Sequence, residues 1–414
     1  MEKRVVITGM GVITPVGQSI DAFWNNLKNG VCGIDHIQGI EEDIPVSVAG
    51  QIKEFDPAAH GLAPTDARRS DRYSQYAMAA AIQAMTSSGL VSGENIAPER
   101  LGVYIGSGIG GIDTFITQTK VMINEGARRI SPLFIPMMIS NIASGNVAIR
   151  FNAQGPNLPS VSACATSTNT AGEAFRAIKY GYADAILTGG AEAAVNALAI
   201  GGFANSKALS LATDPAQASI PFDKRRNGFV MGEGAGVLVF EEYEHAVARG
   251  ANIIAEVCGY GNTCDAYHYT APRPDAAAAS RAMRQALDEA GYKAGEKLYI
   301  NAHGTSTPLN DKTETKAIKL ALGEEDARKA LISSTKSMTG HMLGATGAVE
   351  LIASALAISN GIVPPTIGYR EADPECDLDY VPNTAREADL EIALSNSLGF
   401  GGHNACVVIR KFKK

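Results

Sequence analysis

Four segments of this sequence carry residues that could make and break bonds. Cys164 stands in Val161-Ser162-Ala163-Cys164-Ala165-Thr166-Ser167, at the expected start of a helix. Free backbone N–H groups and the positive end of a helix favour a thiolate, so a lowered thiol pKa is expected there. A buried, inert cysteine would read the same from these residues alone. His303 lies in Asn301-Ala302-His303-Gly304-Thr305-Ser306-Thr307-Pro308, just past an apolar strand, where α/β proteins place their sites. An ordinary loop histidine is the plain alternative. Lys336 and His341 share the segment 334–347, which leads into a second helix, and Glu350 falls inside that helix. A carboxylate among apolar residues needs a partner, and Lys336 or a cation could serve. The fourth segment, Asn396-Ser397-Leu398-Gly399-Phe400-Gly401-Gly402-His403-Asn404, reads as a glycine-rich turn between two strands. Phe400 is out of place in a plain turn, because an aromatic ring needs something to cover. One thiol and two histidines suit acyl transfer through a thioester. No Gly-x-Ser-x-Gly turn and no His-Glu-x-x-His pattern competes with that reading, and no metal site is expected.

The elements that must position these groups alternate between strand and helix, the pattern of an α/β protein. Strand-like runs are expected at 4–8, 101–106, 184–189, 236–242, 253–259, 297–302, 330–333, 390–396 and 405–411. A helix over 275–291 puts Ala279, Met283, Ala286, Leu287 and Ala290 on one face. The helices expected over 164–180 and 341–359 are apolar nearly all round and should be buried. Each half of the chain thus holds a buried helix that opens on a reactive-looking residue and leads to an apolar strand. That suggests a duplication, with its join near 244–251.

The chain has 414 residues, 45% of them hydrophobic and 19% charged, enough for a large core and too apolar for disorder. Its 36 basic and 43 acidic residues leave a net charge of −7, which argues against a nucleic-acid binder. Six cysteines without a Cys-x-x-Cys pair are no disulfide scaffold. Nothing near the start reads as a secretory signal, and the apolar stretch 351–363 is too short to span a bilayer. A soluble cytoplasmic protein without membrane insertion is expected.

Cys164, His303 in its His-Gly-Thr-Ser-Thr setting, Lys336 in Ser334-Thr335-Lys336-Ser337, and His341 together resemble the β-ketoacyl-acyl-carrier-protein synthases. The opening 4–11, the stretch 229–236 and the turn 399–404 match the same family, so the likeness runs from residue 4 to about 411. Length and the Cys-His-His set are most similar to its synthase II branch, which elongates fatty acyl chains. The resemblance implies the thiolase fold, two duplicated α/β halves in a five-layer α-β-α-β-α sandwich. Residues 1–250 would carry the cysteine and 251–414 the two histidines.

The resemblance further implies that Cys164 takes the acyl chain, with the N–H groups of Cys164 and Phe400 as oxyanion hole. His303 and His341 would donate to the malonyl thioester, and Lys336 would support His341 and pair with Glu350, with Asp311 also in support. Thr305, Thr307 and Thr270 would hold the phosphopantetheine arm, and Ile109 and Phe203 would line the acyl pocket. Phe400 would gate the entrance between Gly399 and Gly401. Arg68, Arg69 and Lys207 would steer an acidic acyl carrier protein. A homodimer is implied, and no cofactor beyond the phosphopantetheine of the substrates. Some relatives hold a monovalent cation near positions equivalent to Asn301, Glu350 and Asn396. Ile220 and Asn227 depart from the family's common residues, at positions expected to lie away from the catalytic set. Synthase I, a polyketide ketosynthase and a catalytically silent chain-length subunit are the competing readings, and the intact Cys164 weighs against the last.

Overall fold

The computed structural model describes residues 2–413. Apolar runs buried on both faces become strands. In the first half these are β1 (Val5–Ile13), β2 (Leu101–Gly106), β3 (Ala185–Glu192) and β4 (Gly234–Glu242). In the second they are β5 (Ala255–Cys264), β6 (Leu298–Asn301), β7 (Leu331–Ser333), β8 (Ile392–Gly399) and β9 (His403–Lys411). The order across the sheet is β2-β3-β4-β1-β5-β9-β8-β6-β7.

The duplication is visible in the pairing. β2 runs parallel to β3, and the contacts β3 to β4 and β4 to β1 are antiparallel. In the other half β6 runs parallel to β8, followed by antiparallel β8 to β9 and β9 to β5. β7 lies parallel to β6, and its counterpart is a single parallel bridge from Asn157 to Val103 of β2. The two halves join where Val5–Ile7 of β1 pairs antiparallel with Ala255–Val257 of β5.

Helices α1 (Arg72–Ser88), α2 (Thr166–Lys179), α3 (Ala277–Glu289), α4 (Pro308–Leu322) and α5 (Thr346–Asn360) build the layers. α2 and α5 touch each other and strands of both halves, while α1 covers β1 and β4, and α3 covers β5 and β9. The result is the five-layer arrangement of a thiolase fold. The most membrane-like helical stretch among the described residues, Leu343–Asn360, is 89% buried here and serves as core.

Glycine explains how the outer helices come so close. A Cβ on Gly9 or Gly11 of β1 would sit 2.2 or 2.0 Å from the carbonyl oxygen of Ala84 or Ala80 in α1. A Cβ on Gly259 or Gly261 of β5 would meet Ala286 or Ala282 of α3 at 2.0 or 1.8 Å. The same device recurs in both halves. It also explains why β1 continues to Ile13, past the glycines that would end it on propensity alone.

Candidate active site

The two buried helices open the same way. A 3₁₀ turn, Ala163–Ala165, precedes α2, and a second, Leu343–Ala345, precedes α5. Each begins on a residue forced to positive φ, Ala163 at 51° and Leu343 at 45°. The helix expected from 164 therefore begins at Thr166, and Cys164 sits on a strained elbow just before it. Such strain persists only where surrounding contacts over-determine it. Here the Ser162 N–H donates to Thr166 Oγ1 at 2.9 Å, and Asn169 Nδ2 donates to Ser162 Oγ at 2.6 Å.

Cys164, His303 and His341 line one cavity of about 370 Å³. Phe203, Thr305, Thr307, Gly399 and Phe400 share its wall, and Thr270 and Lys207 are exposed residues that also border it. Asn227 lines it too, so this departure from the family pattern does reach the site. Gly399 lies so near the elbow that a Cβ would stand 2.7 Å from the Ser162 carbonyl oxygen. That approach sets the Phe400 backbone N–H, like that of Cys164 itself, near enough to the cysteine sulfur to pull the thiol pKa down. Two backbone donors thus converge where a thioester oxygen would acquire charge.

Burial dominates the titration of the site. It pushes the Cys164 thiol up to about 11, with Lys336 and the Phe400 N–H pulling it back. This corrects the expectation of a lowered thiol pKa: the cysteine is only 9% exposed, and desolvation of the charged form outweighs the helix end. His303 and His341 are held well below the usual histidine range, first by burial and then by the Lys336 charge. Both imidazoles are therefore neutral at pH 7.

Backbone contacts hang each histidine in place. The His341 N–H donates to Val230 O at 2.7 Å, and its carbonyl accepts from Gly232 N at 2.8 Å. The His303 and Gly304 N–H groups donate to the two carboxylate oxygens of Glu314, each at 2.7 Å. Asn396 Nδ2 adds a third donor to Glu314 at 2.6 Å. Glu192 plays a like part at the end of β3, accepting from Ser107 Oγ at 2.7 Å, Gly108 N at 2.8 Å and Gly344 N at 3.0 Å. Glu192 and Glu314 escaped the sequence reading. The available signal was a carboxylate at the end of an apolar strand, or in a helix directly following the histidine loop.

Lys336 Nζ donates to Glu350 Oε1, both side chains only 1% exposed. Burial still raises the Glu350 carboxyl to about 7. Asp311 is fully buried, accepts from Phe222 N at 2.8 Å and stands 3.7 Å from Arg226, away from the histidines. Asn301 Oδ1, Glu350 Oε2 and Ser395 Oγ are buried without partners among the described residues, and Asn301 and Ser395 face each other in register across β6 and β8. Such oxygens fit a hard cation. Asn396 fits less well, because its amide oxygen already accepts from Cys406 Sγ at 3.0 Å. No cluster of three His, Cys, Asp or Glu able to hold a metal occurs among the described residues.

Three expectations lie apart from the cavity. The Ile109 side chain is 37% exposed and outside the lining, while its N–H reaches Glu192 at 3.2 Å. Gly401 is exposed at φ 88° and donates its N–H outward to Tyr269 O at 2.8 Å. Arg68 and Arg69 are exposed at the end of the short helix Pro64–Arg68 and do not border the cavity.

Comparison with known proteins shows the family. Residues 2–246 match the model of the β-ketoacyl synthase N-terminal domain, and residues 254–370 that of the C-terminal domain. The chain is 52% identical over 412 residues to a 3-oxoacyl-[acyl-carrier-protein] synthase 2 of Staphylococcus aureus (strain COL), covering 99% of each chain. It is 49% identical over 414 residues to a protein of that name from Synechocystis, covering 100% of this chain and 99% of that one. Among solved structures, a type II polyketide acyl-carrier protein in complex with its ketosynthase superposes with TM-score 0.90 at 36% identity, covering 100% of both chains. A β-ketoacyl synthase from Burkholderia phymatum gives TM-score 0.91 at 35% identity, covering 99% of this chain and all of that one. The chain belongs to the β-ketoacyl synthase family.

Proposed function

We propose that this protein elongates fatty acyl chains by decarboxylative condensation of an acyl-carrier-protein thioester with malonyl-carrier protein. The observation that carries the reading is the convergence of one thiol, two neutral imidazoles and two backbone donors on one cavity.

Cys164 attacks the acyl thioester, and its proton leaves with the phosphopantetheine thiol that it displaces. The Cys164 and Phe400 N–H groups hold the oxyanion in between. Malonyl-carrier protein then enters. His303 and His341, being neutral, each offer one ring N–H to its thioester carbonyl. Loss of CO₂ leaves the electron pair in an enolate that those hydrogen bonds stabilise. The α-carbon attacks the acyl carbonyl, the Cys164 thiolate departs and takes a proton from solvent, and a β-ketoacyl-carrier protein two carbons longer is released. Thr305 and Thr307, whose hydroxyls lie 3.0 Å apart on the cavity wall, are placed to receive the pantetheine arm. A monovalent cation at Asn301 and Glu350 would offset the buried carboxylate charge, and no step passes through it.

An acyl carrier protein is the partner this reaction needs, and a relative captured with its carrier supports that. Of the three expected docking cations Lys207 borders the cavity, and Arg68 and Arg69 do not. A homodimer is supported by the exposed apolar side chains Ile149, Leu158 and Val161, which a second copy would cover. A polyketide ketosynthase is the second reading, favoured by the structural likeness to such enzymes at 36% identity and opposed by the higher identity to fatty acid synthases.

Elongation of saturated and cis-unsaturated acyl-carrier proteins with malonyl-carrier protein tests the proposal, beside Cys164→Ala. Condensation abolished in the variant supports it. A wild type that turns over no simple acyl chain, yet condenses a polyketide starter, overturns it in favour of the second reading.

A further inference from the structure

A neutral imidazole carries one hydrogen, and which nitrogen holds it decides whether the ring can donate into the cavity. His341 Nδ1 faces the Thr346 hydroxyl at 3.1 Å, within a fully buried pair. Among the described residues that imidazole is the one hydrogen-bond partner of Thr346 Oγ1. If Nδ1 held the hydrogen, the hydroxyl would accept it and its own O–H would be buried with nothing to receive it. If the hydroxyl donates, both groups are satisfied and the ring hydrogen moves to Nε2, the nitrogen left for the cavity.

The placement of Thr346 has a structural reason. It is the first residue of α5, as Thr166 is the first residue of α2. Thr166 turns its hydroxyl back onto the Ser162 N–H at 2.9 Å, while Thr346 turns its own onto the His341 ring. In one half this steadies the nucleophile's elbow. In the other it reaches a catalytic ring. His303 has no such device, since its Nδ1 lacks a partner among the described residues.

We infer that Thr346 is a positioning residue that fixes His341 as the Nε2–H tautomer and so keeps its ring N–H aimed at the malonyl thioester. The inference rests on the proposed condensation for its kinetic consequence, but not for the tautomer itself.

The test compares Thr346→Val, which keeps the shape and removes the hydroxyl, with Thr346→Ser, which keeps the hydroxyl. Nitrogen NMR of histidine-labelled protein reads the tautomer without substrate, with the His341 signal assigned by its loss in His341→Asn. Wild type and Thr346→Ser are expected to show the Nε2–H form, and Thr346→Val a mixture of both. Thr346→Val should lower kcat for condensation by about tenfold or more, less than full removal of a donor, at unchanged rate of Cys164 acylation. Thr346→Ser should restore it. An Nδ1–H form in wild type, an unaltered tautomer in Thr346→Val, or equal losses in both variants would overturn the inference. A wild type with the Nε2–H form but no condensation would instead refute the proposed reaction and leave the tautomer assignment standing.

Discussion

The imidazole rings of His303 and His341 stand 5.3 Å apart, centroid to centroid, and nearly perpendicular at 86°. Two protonated rings at that separation would repel, and burial beside Lys336 ensures that neither is charged. Neutral rings can instead direct one N–H each to a single oxygen. The Phe229 ring meets His341 edge-on at 5.2 Å, which limits that ring's freedom to turn.

Replacing either histidine should therefore remove one donor from the enolate. His303→Ala and His341→Ala are each expected to lower the condensation rate by about 10²–10³. Acylation of Cys164, which uses the backbone donors, should survive in both. Single-turnover transfer of a labelled acyl group checks this, and loss of acylation in either variant would assign the histidine to the first half-reaction.

The thiol makes a pH prediction. With its pKa near 11, Cys164 is a neutral thiol at pH 7. Only the thiolate reacts with iodoacetamide, so inactivation should accelerate about tenfold per pH unit below that value. A rate that levels off near pH 7 would mean that the helix end wins over burial after all. Condensation itself should vary far less over the same range, because in catalysis the proton leaves with the displaced pantetheine thiol.

Chemistry was more legible in this sequence than its support. Cys164, His303 and His341 stand in short stretches of small and hydroxyl residues, and a reactive side chain in such surroundings is readable from neighbours alone. The alternation of strand and helix was equally plain. The continuous nine-stranded order was not, because the joining pairs at Val5–Ile7 involve side chains indistinguishable from any core strand. The length of β1 was obscured by Gly9 and Gly11, which look like strand breakers until α1 is seen against them. Glu192 and Glu314 are hard to read from sequence because most of their partners are backbone N–H groups, which leave no mark on residue type. The thiol pKa was misjudged for a related reason: a helix end can be read from sequence, and the degree of burial cannot.

The buried pair Lys336 and Glu350 should be costly to split. In Lys336→Met the carboxylate loses the lysine it pairs with, and breaking such a pair destabilises a fold by about 3–5 kcal/mol. Glu350 would then keep its proton to still higher pH than the value near 7 it has beside the lysine. An acid whose folded pKa is raised contributes stability below its unfolded pKa, about 4.3, and loses it as pH rises. The variant should therefore weaken from pH 5 to pH 8 more steeply than wild type, in urea titrations. Adding Glu350→Gln should restore much of the loss and flatten that slope. A Glu350→Gln change that costs as much in the Lys336→Met background as it does in wild type would mean that the two residues act independently.

Gly399 offers the sharpest test of how the hairpin and the nucleophile are coupled. A methyl group there would lie 2.7 Å from the Ser162 carbonyl oxygen, 3.3 Å from Ala165 N and 3.4 Å from Cys164 N. All three are backbone atoms of the elbow, which the strained Ala163 and the Thr166 and Asn169 hydrogen bonds hold rigid. The hairpin must therefore give way, and it draws the Phe400 N–H away from Cys164 as it moves. Gly399→Ala is expected to fold, because β8 and β9 remain paired from Ile392 and Arg410 onward. Its acylation rate should fall by about 10²–10³, the usual consequence of losing one oxyanion donor. The Cys164 thiol, without the pull of that N–H, should titrate higher than in wild type, so alkylation at fixed pH should slow as well. Acyl-enzyme formation followed by mass spectrometry, with iodoacetamide kinetics alongside, measures both. Unchanged acylation together with unchanged alkylation would show that the Phe400 N–H contributes nothing to the chemistry at Cys164.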